Sequence, residues 1–137
     1  MPHKVVIVGS TKFTVTTPIG AQIVDLIRHM GEDVVLLTRG TGEIEHFIAT
    51  VAPLLDLRCL SYPAQGGPDN WVRDVELVND ADEVIAIVAR EDLENNHRES
   101  GTLHVVEKAL DQGKPTRLFT EVDGTLVYAA ASQEDTA

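Results

Sequence analysis

Cysteine is nearly absent. The single Cys59 allows no internal disulfide and no cysteine-built metal cluster. Basic residues are scarce: eleven Lys and Arg stand against twenty-two Asp and Glu, for a net charge of −11. Phosphate-backbone binding needs a basic face, so a nucleic-acid partner is not expected. The same imbalance argues against an anionic membrane surface. No apolar run approaches the length of a membrane span. The opening Met1-Pro2-His3-Lys4 has no signal-peptide anatomy. The expectation is a soluble cytoplasmic domain without a membrane partner. Internal repeats, linkers and low-complexity blocks are missing too. The five histidines show no metal-binding spacing and are expected at the surface, so no metal site and no cofactor are expected.

What is present is 137 residues, one domain's worth, with 43% hydrophobic content, enough for a real core. Short apolar runs alternate with helical patterns. Lys4–Gly9 (KVVIVG) reads as a buried strand. Thr17-Pro18 offers a cap and a first-turn proline for a helix carrying Ile19, Ile23, Leu26, Ile27 and Met30, stopped by Gly31. Asp33–Thr38 is a second strand. A second helix carries Ile44, Phe47, Ile48, Val51 and Leu55, with Pro53 near its end. Leu57–Tyr62 is a weaker strand, and residues 63–70 read as a loop. A third helix from Asn70 to Ala81 would turn Trp71, Val75 and Val78 to one face. Glu83–Ala89 is the clearest strand, and Arg90–Ser100 a charged loop. A fourth helix, Thr102–Gln112, would bury Leu103, Val106 and Leu110. Thr116–Val122 is a strand, Asp123-Gly124 a hairpin turn, and Thr125–Ala129 an antiparallel return. Residues 1–131 form the domain and 132–137 a frayed tail.

Strands apolar throughout are buried on both faces, which requires a parallel sheet covered by helices. The fold class is therefore α/β: doubly wound, Rossmann-like, mostly parallel, with a C-terminal antiparallel edge strand. Ligands of such sheets sit beyond the C-terminal strand ends, near the switch in strand order. Here those ends are the loops at 9–18, 39–43, 63–70 and 90–102.

The first loop opens with Gly9-Ser10-Thr11-Lys12. Glycine admits close backbone approach, and Ser10 and Lys12 suit a phosphate. A plain turn with an exposed lysine explains the same residues. No G-x-G-x-x-G follows the strand, and no P-loop occurs anywhere. The second loop, Arg39-Gly40-Thr41-Gly42-Glu43, puts two glycines at a helix N-terminus, with Arg39 for an anion and Glu43 or Glu45 for ribose hydroxyls. An ordinary helix start, capped by Thr41 with Glu43 facing the dipole, reads equally well. Arg73-Asp74 lies near the same edge, either as a solvated pair or as a charge counter. Glu99-Ser100-Gly101-Thr102 opens a helix whose amides suit a phosphate or sugar oxygen, or are capped by Ser100.

These pieces, in this order, resemble the SLOG superfamily. This Rossmann-like group includes the cytokinin-activating LOG phosphoribohydrolases, the DNA-processing protein DprA and nucleotide-sensing domains. The resemblance runs from Val5 to about Phe119. It rests on Gly9-Ser10, on Arg39–Gly42, and on Gly67-Pro68 followed by Arg73-Asp74 and Ala81-Asp82-Glu83-Val84-Ile85-Ala86, with Leu77 where methionine is usual. It rests also on Ser100-Gly101-Thr102 followed by Glu107, Ala109 and Gly113-Lys114-Pro115. The last stretch is similar, more weakly, to nucleoside 2-deoxyribosyltransferases. In both patterns Val105 occupies the position of the catalytic glutamate. A valine cannot serve as nucleophile or base.

The resemblance implies a binder of a nucleotide-derived small molecule, a nucleoside phosphate or ADP-ribose-like, acting as sensor, carrier or sequestering protein. It also implies a homodimer. The cradle would be Gly9, Ser10, Lys12, Arg39, Gly40, Thr41, Gly42, Arg73, Ser100, Gly101 and Thr102. The alternative is an N-glycosidic hydrolase or transferase acting on nucleosides or their monophosphates, with its acid drawn from Glu43, Glu45, Asp74, Glu99 or Glu107.

Overall fold

The computed structural model describes residues 2–11, 13–63, 68–95 and 101–132. The elements are β1 (His3–Gly9), α1 (Thr17–Arg28), β2 (Val34–Thr38), α2 (Gly42–Val51) with a following 3₁₀ turn (Ala52–Leu55), β3 (Arg58–Ser61), α3 (Pro68–Asp80), β4 (Glu83–Val88), α4 (Arg90–Asn95), α5 (Gly101–Asp111), β5 (Thr116–Val122) and β6 (Thr125–Ser132). They build one six-stranded sheet in the order β3-β2-β1-β4-β5-β6. All neighbours are parallel except β5 and β6. The strand order reverses between β1 and β4, which defines the crevice at their C-terminal ends.

Alternation along the strands feeds two cores. Val5, Ile7, Leu36, Ile85 and Ile87 point to the face covered by α1 and α2, where Ile19, Ile23, Ile27, Ile44 and Ile48 meet them. Val6, Val8, Leu37, Val84, Ala86 and Val88 point to the other face and pack on Leu77 and Val78 of α3 and on Val105, Val106 and Ala109 of α5. Each fully buried aliphatic side chain contributes about 1.5–3 kcal/mol. These two layers fix the sheet and hold the helix N-termini at one edge.

Several expected details differ. Thr16, not Thr17, caps α1, its Oγ1 accepting from the Ile19 amide at 3.4 Å, with Pro18 in the first turn. The helical pattern through Leu55 breaks after Val51 into the 3₁₀ turn, because Pro53 has no amide to continue the α ladder. β3 is shorter than expected and largely exposed, as befits a sheet edge. The α3 helix begins at Pro68, a residue preorganised for a first turn.

The first six residues of the expected charged loop form α4. Glu91 and Asp92 complement its dipole, and too few residues are present for apolar periodicity to reveal it. β6 runs to Ser132, three residues past the expected end, because β5 offers partners that far. Residues 133–137, the remainder of the expected tail, lie outside the described residues. Among the described residues, no helix is long and apolar enough to cross a membrane.

The inward faces of α3 and α5 also differ from expectation. α3 buries Asp74, Leu77 and Val78, while Trp71 is 55% exposed. α5 buries Thr102, His104, Val105, Val106 and Ala109, while Leu110 is 47% exposed. These two helices pack on each other as well as on the sheet, so their buried arcs are wider than an apolar stripe and include polar groups that find partners.

Candidate functional site

The loops after β1 and β2 and the start of α5 meet at the crevice, and Arg39 ties them together. Its side chain is 3% exposed. Nε donates to Glu45 Oε2 at 2.9 Å, and Nη2 donates to the same oxygen, to the Gly9 carbonyl at 2.8 Å and to Thr102 Oγ1 at 2.9 Å. The Arg39 and Gly9 amides both donate to the Glu45 carboxylate. Glu45, on the first turns of α2, is fully buried. Burying two charges is costly, and this dense bonding is what offsets the desolvation. Arg39 was expected to face a phosphate directly. Instead most of its guanidinium is spent internally. Nη1 alone makes no hydrogen bond among the described residues, and it lies against the first residue of α5: a Cβ built on Gly101 would sit 2.9 Å from it.

The other nominated residues fall around this node. Gly9 lacks a side chain because Ile44 fills the space, 2.7 Å from where a Cβ would be. Gly40 and Gly42 both take positive φ, which bends the chain from β2 into α2. Thr41 sits at the N-cap of α2 but makes no side-chain cap bond. Ser10 Oγ accepts from the Ala89 amide at 2.8 Å and donates to the buried Asp92 at 3.0 Å, joining β1 to α4. Glu43 accepts from the Val15 amide at 2.9 Å and so anchors the first loop. Glu107 is exposed, more than a turn beyond Gly101 on α5. Lys12, Glu99 and Ser100 lie outside the described residues.

Arg73 belongs to a second cluster, on the other face of the sheet edge. Its Nε donates to Asp74 Oδ1 at 2.7 Å and its Nη1 to the Tyr62 carbonyl at 3.2 Å. The other Asp74 oxygen lies 2.7 Å from His104 Nδ1. His104 is 5% exposed, which corrects the expectation of surface histidines; the Asp74 carboxylate is what makes its burial tolerable. Its Nε2 is buried with no hydrogen-bond partner among the described residues. The ring of Trp71 meets it edge-on, centroids 3.7 Å apart. Nearby, the Tyr62 hydroxyl donates to Asp80 at 2.5 Å. Desolvation, reinforced by that carboxylate, pushes the Tyr62 phenol up to about 12. Burial pushes the Cys59 thiol in β3 above its ordinary value.

Sequence reasoning missed Glu45 as the partner of Arg39, and His104 altogether. The available signal was position: His104 adjoins Val105 on a helix whose inward arc runs through Thr102, Val105, Val106 and Ala109. Val105 itself is 0% exposed, part of the core rather than of any cleft wall. Away from the crevice, a groove of about 920 Å³ runs between α1 and α2, lined in part by Val15, Gly20, Val24, Phe47 and His46. Among the described residues no group of His, Cys, Asp and Glu is arranged to hold a metal ion.

Neither a family model nor a curated protein matches the chain. Among solved structures the chain is similar to the X-ray structure of TM1055, a Northeast Structural Genomics Consortium target. The TM-score is 0.60 at 18% identity, over 83% of this chain and 72% of that one. At that identity the likeness shows the fold. Together with the strand order, it defines this chain as an α/β domain with a Rossmann-like fold.

Proposed function

We propose that this chain binds a nucleotide-derived small ligand, a nucleoside phosphate or ADP-ribose-like molecule, at the C-terminal strand ends, as a sensor, carrier or sequestering domain of the SLOG kind. The observation that carries the reading is the free corner of Arg39. Nη1 stands beside Gly101, at the N-terminus of a helix with no acidic residue in its first turn. A helix N-terminus and an adjacent guanidinium both favour an anion. Placing the phosphate at α5 also fits α2, whose own first turn is occupied by Glu43 and Glu45. The node of Arg39, Glu45, Gly9 and Thr102 then acts as a rigid floor, and Gly40, Thr41 and Gly42 shape the adjoining rim. Arg73 sits at the same edge as a further countercharge. A homodimer belongs to the same reading, and light scattering in solution measures it.

Binding is favoured over glycosidic cleavage because the position where the resembled enzymes carry glutamate is a buried valine. The test is incubation with a mixed pool of nucleoside monophosphates, other nucleotides and ADP-ribose derivatives. Protein-bound and free fractions are then read by mass spectrometry. Intact ligand retained on the protein, and lost in Gly101→Ala, is expected. Free base or transferred sugar would establish catalysis instead. No retained ligand and no product would end both readings.

A further inference from the structure

We propose that Asp74, His104 and Trp71 form a recognition site for a planar nitrogen heterocycle that offers a ring N–H, the imide or lactam edge of a base such as uracil or hypoxanthine. The Asp74 carboxylate accepts, so its 2.7 Å contact puts a proton on His104 Nδ1, and in the neutral imidazole the lone pair is then on Nε2. Arg73 holds the other carboxylate oxygen at 2.7 Å, so the imidazole is fixed in tautomer and orientation. Yet Nε2, the atom this clamp prepares, is buried and has no partner among the described residues. Buried acceptors are normally satisfied, so an unfilled one aimed by a two-residue support points to a donor supplied from outside.

Trp71 is the second half of the site. It is 55% exposed, yet its ring meets that of His104 nearly at right angles, centroids 3.7 Å apart. On this proposal the indole turns aside to admit the ligand to Nε2, a movement that loses little buried surface because so much of the ring is already in water. Its open face is a flat apolar platform for a heterocycle. Both residues are the fourth of their helices, at the C-terminal edge of the sheet, where ligands of this fold collect. Gly101 and His104 are three residues apart on α5, about 4.5 Å along the axis. One ligand can therefore lay its base against Trp71 and His104 and its phosphate at Gly101. In that form the inference rests on the proposed function; the heterocycle site itself does not.

Trp71 is the sole tryptophan, so its fluorescence reports on the site directly. The probes are the 5′-monophosphates of uridine, inosine, cytidine and adenosine, and the free bases uracil and cytosine. Uridine and inosine monophosphates should perturb Trp71 and bind at least tenfold more tightly than the cytidine and adenosine compounds, whose corresponding ring nitrogen is an acceptor. His104→Phe keeps a flat ring without a lone pair and should abolish the preference. Asp74→Asn is the sharper variant. Its amide N–H would face Nδ1, moving the histidine proton to Nε2, and the preference should invert toward cytidine and adenosine.

Circular dichroism and thermal unfolding establish that each variant is folded. Equal binding of all four monophosphates with Trp71 silent would overturn this inference and leave the phosphate site standing. Discrimination among free bases, with no gain from the phosphate, would support this site and overturn the phosphate assignment. No binding of any probe would overturn both.

Discussion

Two buried charge clusters stand at the same edge of the sheet, and they differ in how completely they are closed. Around Glu45, both carboxylate oxygens accept, and Arg39 reaches across to β1 and α5. Around Asp74, both oxygens also accept, but the chain of bonds ends on a histidine nitrogen with no partner among the described residues. The first cluster is a fastening: it joins two loops and two helices, and all but one corner of it is consumed. The second is a fastening with one group held ready. Buried charge alone therefore does not mark a site; unspent hydrogen-bonding capacity at the end of a supported chain does.

Disrupting the closed cluster should have the largest effect. Glu45→Ala leaves the Arg39 guanidinium buried without its counterion and should cost about 3–5 kcal/mol in urea unfolding. Replacing both partners with leucine should cost less than that single change, because no charge is then stranded. If the double variant is the less stable, the cluster is not the self-contained ion pair described here.

Next in size is Gly101→Ala. The added Cβ would press on Arg39 Nη1, and overpacking of this kind costs about 1–3 kcal/mol. Thermal unfolding reads the stability, and the same variant reads the proposed phosphate site.

His104→Phe should stay below Glu45→Ala, at about 1–3 kcal/mol by urea titration, because one buried Asp74 oxygen loses its donor while Arg73 keeps the other. A loss as large as that of Glu45→Ala would make the second cluster as structural as the first.

The smallest effect is electrostatic. Ultraviolet titration should show the Tyr62 phenol ionising near 12, and Asp80→Asn should bring it down toward its ordinary value of 10.0. The folded-state value lies above the unfolded one. The phenol's contribution to stability is therefore complete below pH 10 and is lost as pH rises through about 12.

The sheet was legible because β1, β2 and β4 are apolar on both faces, a pattern that only a helix-covered parallel sheet explains. The short helix α4 was not, since six residues carry no period. The interior of the candidate site was hidden for a different reason. Arg39 follows a strand and precedes two glycines, and in sequence it looks like a cation turned to solvent. Its burial depends on Glu45, six residues on, swinging back beneath the loop. Trp71 and His104 exchanged roles for the same kind of reason. Local pattern assigns tryptophan to the core and histidine to water, but Asp74, on the same helix as Trp71, holds His104 of the neighbouring helix inside, and Trp71 stays 55% exposed. Pairing across helices is a tertiary event that periodicity within one helix does not record.

Amide hydrogen exchange with and without saturating uridine 5′-monophosphate tests the proposed site most directly. Slowed exchange is expected at the first turn of α5, residues 101–104, and at the start of α3 around Trp71. Protection confined to the groove between α1 and α2, or no protection anywhere, would contradict it.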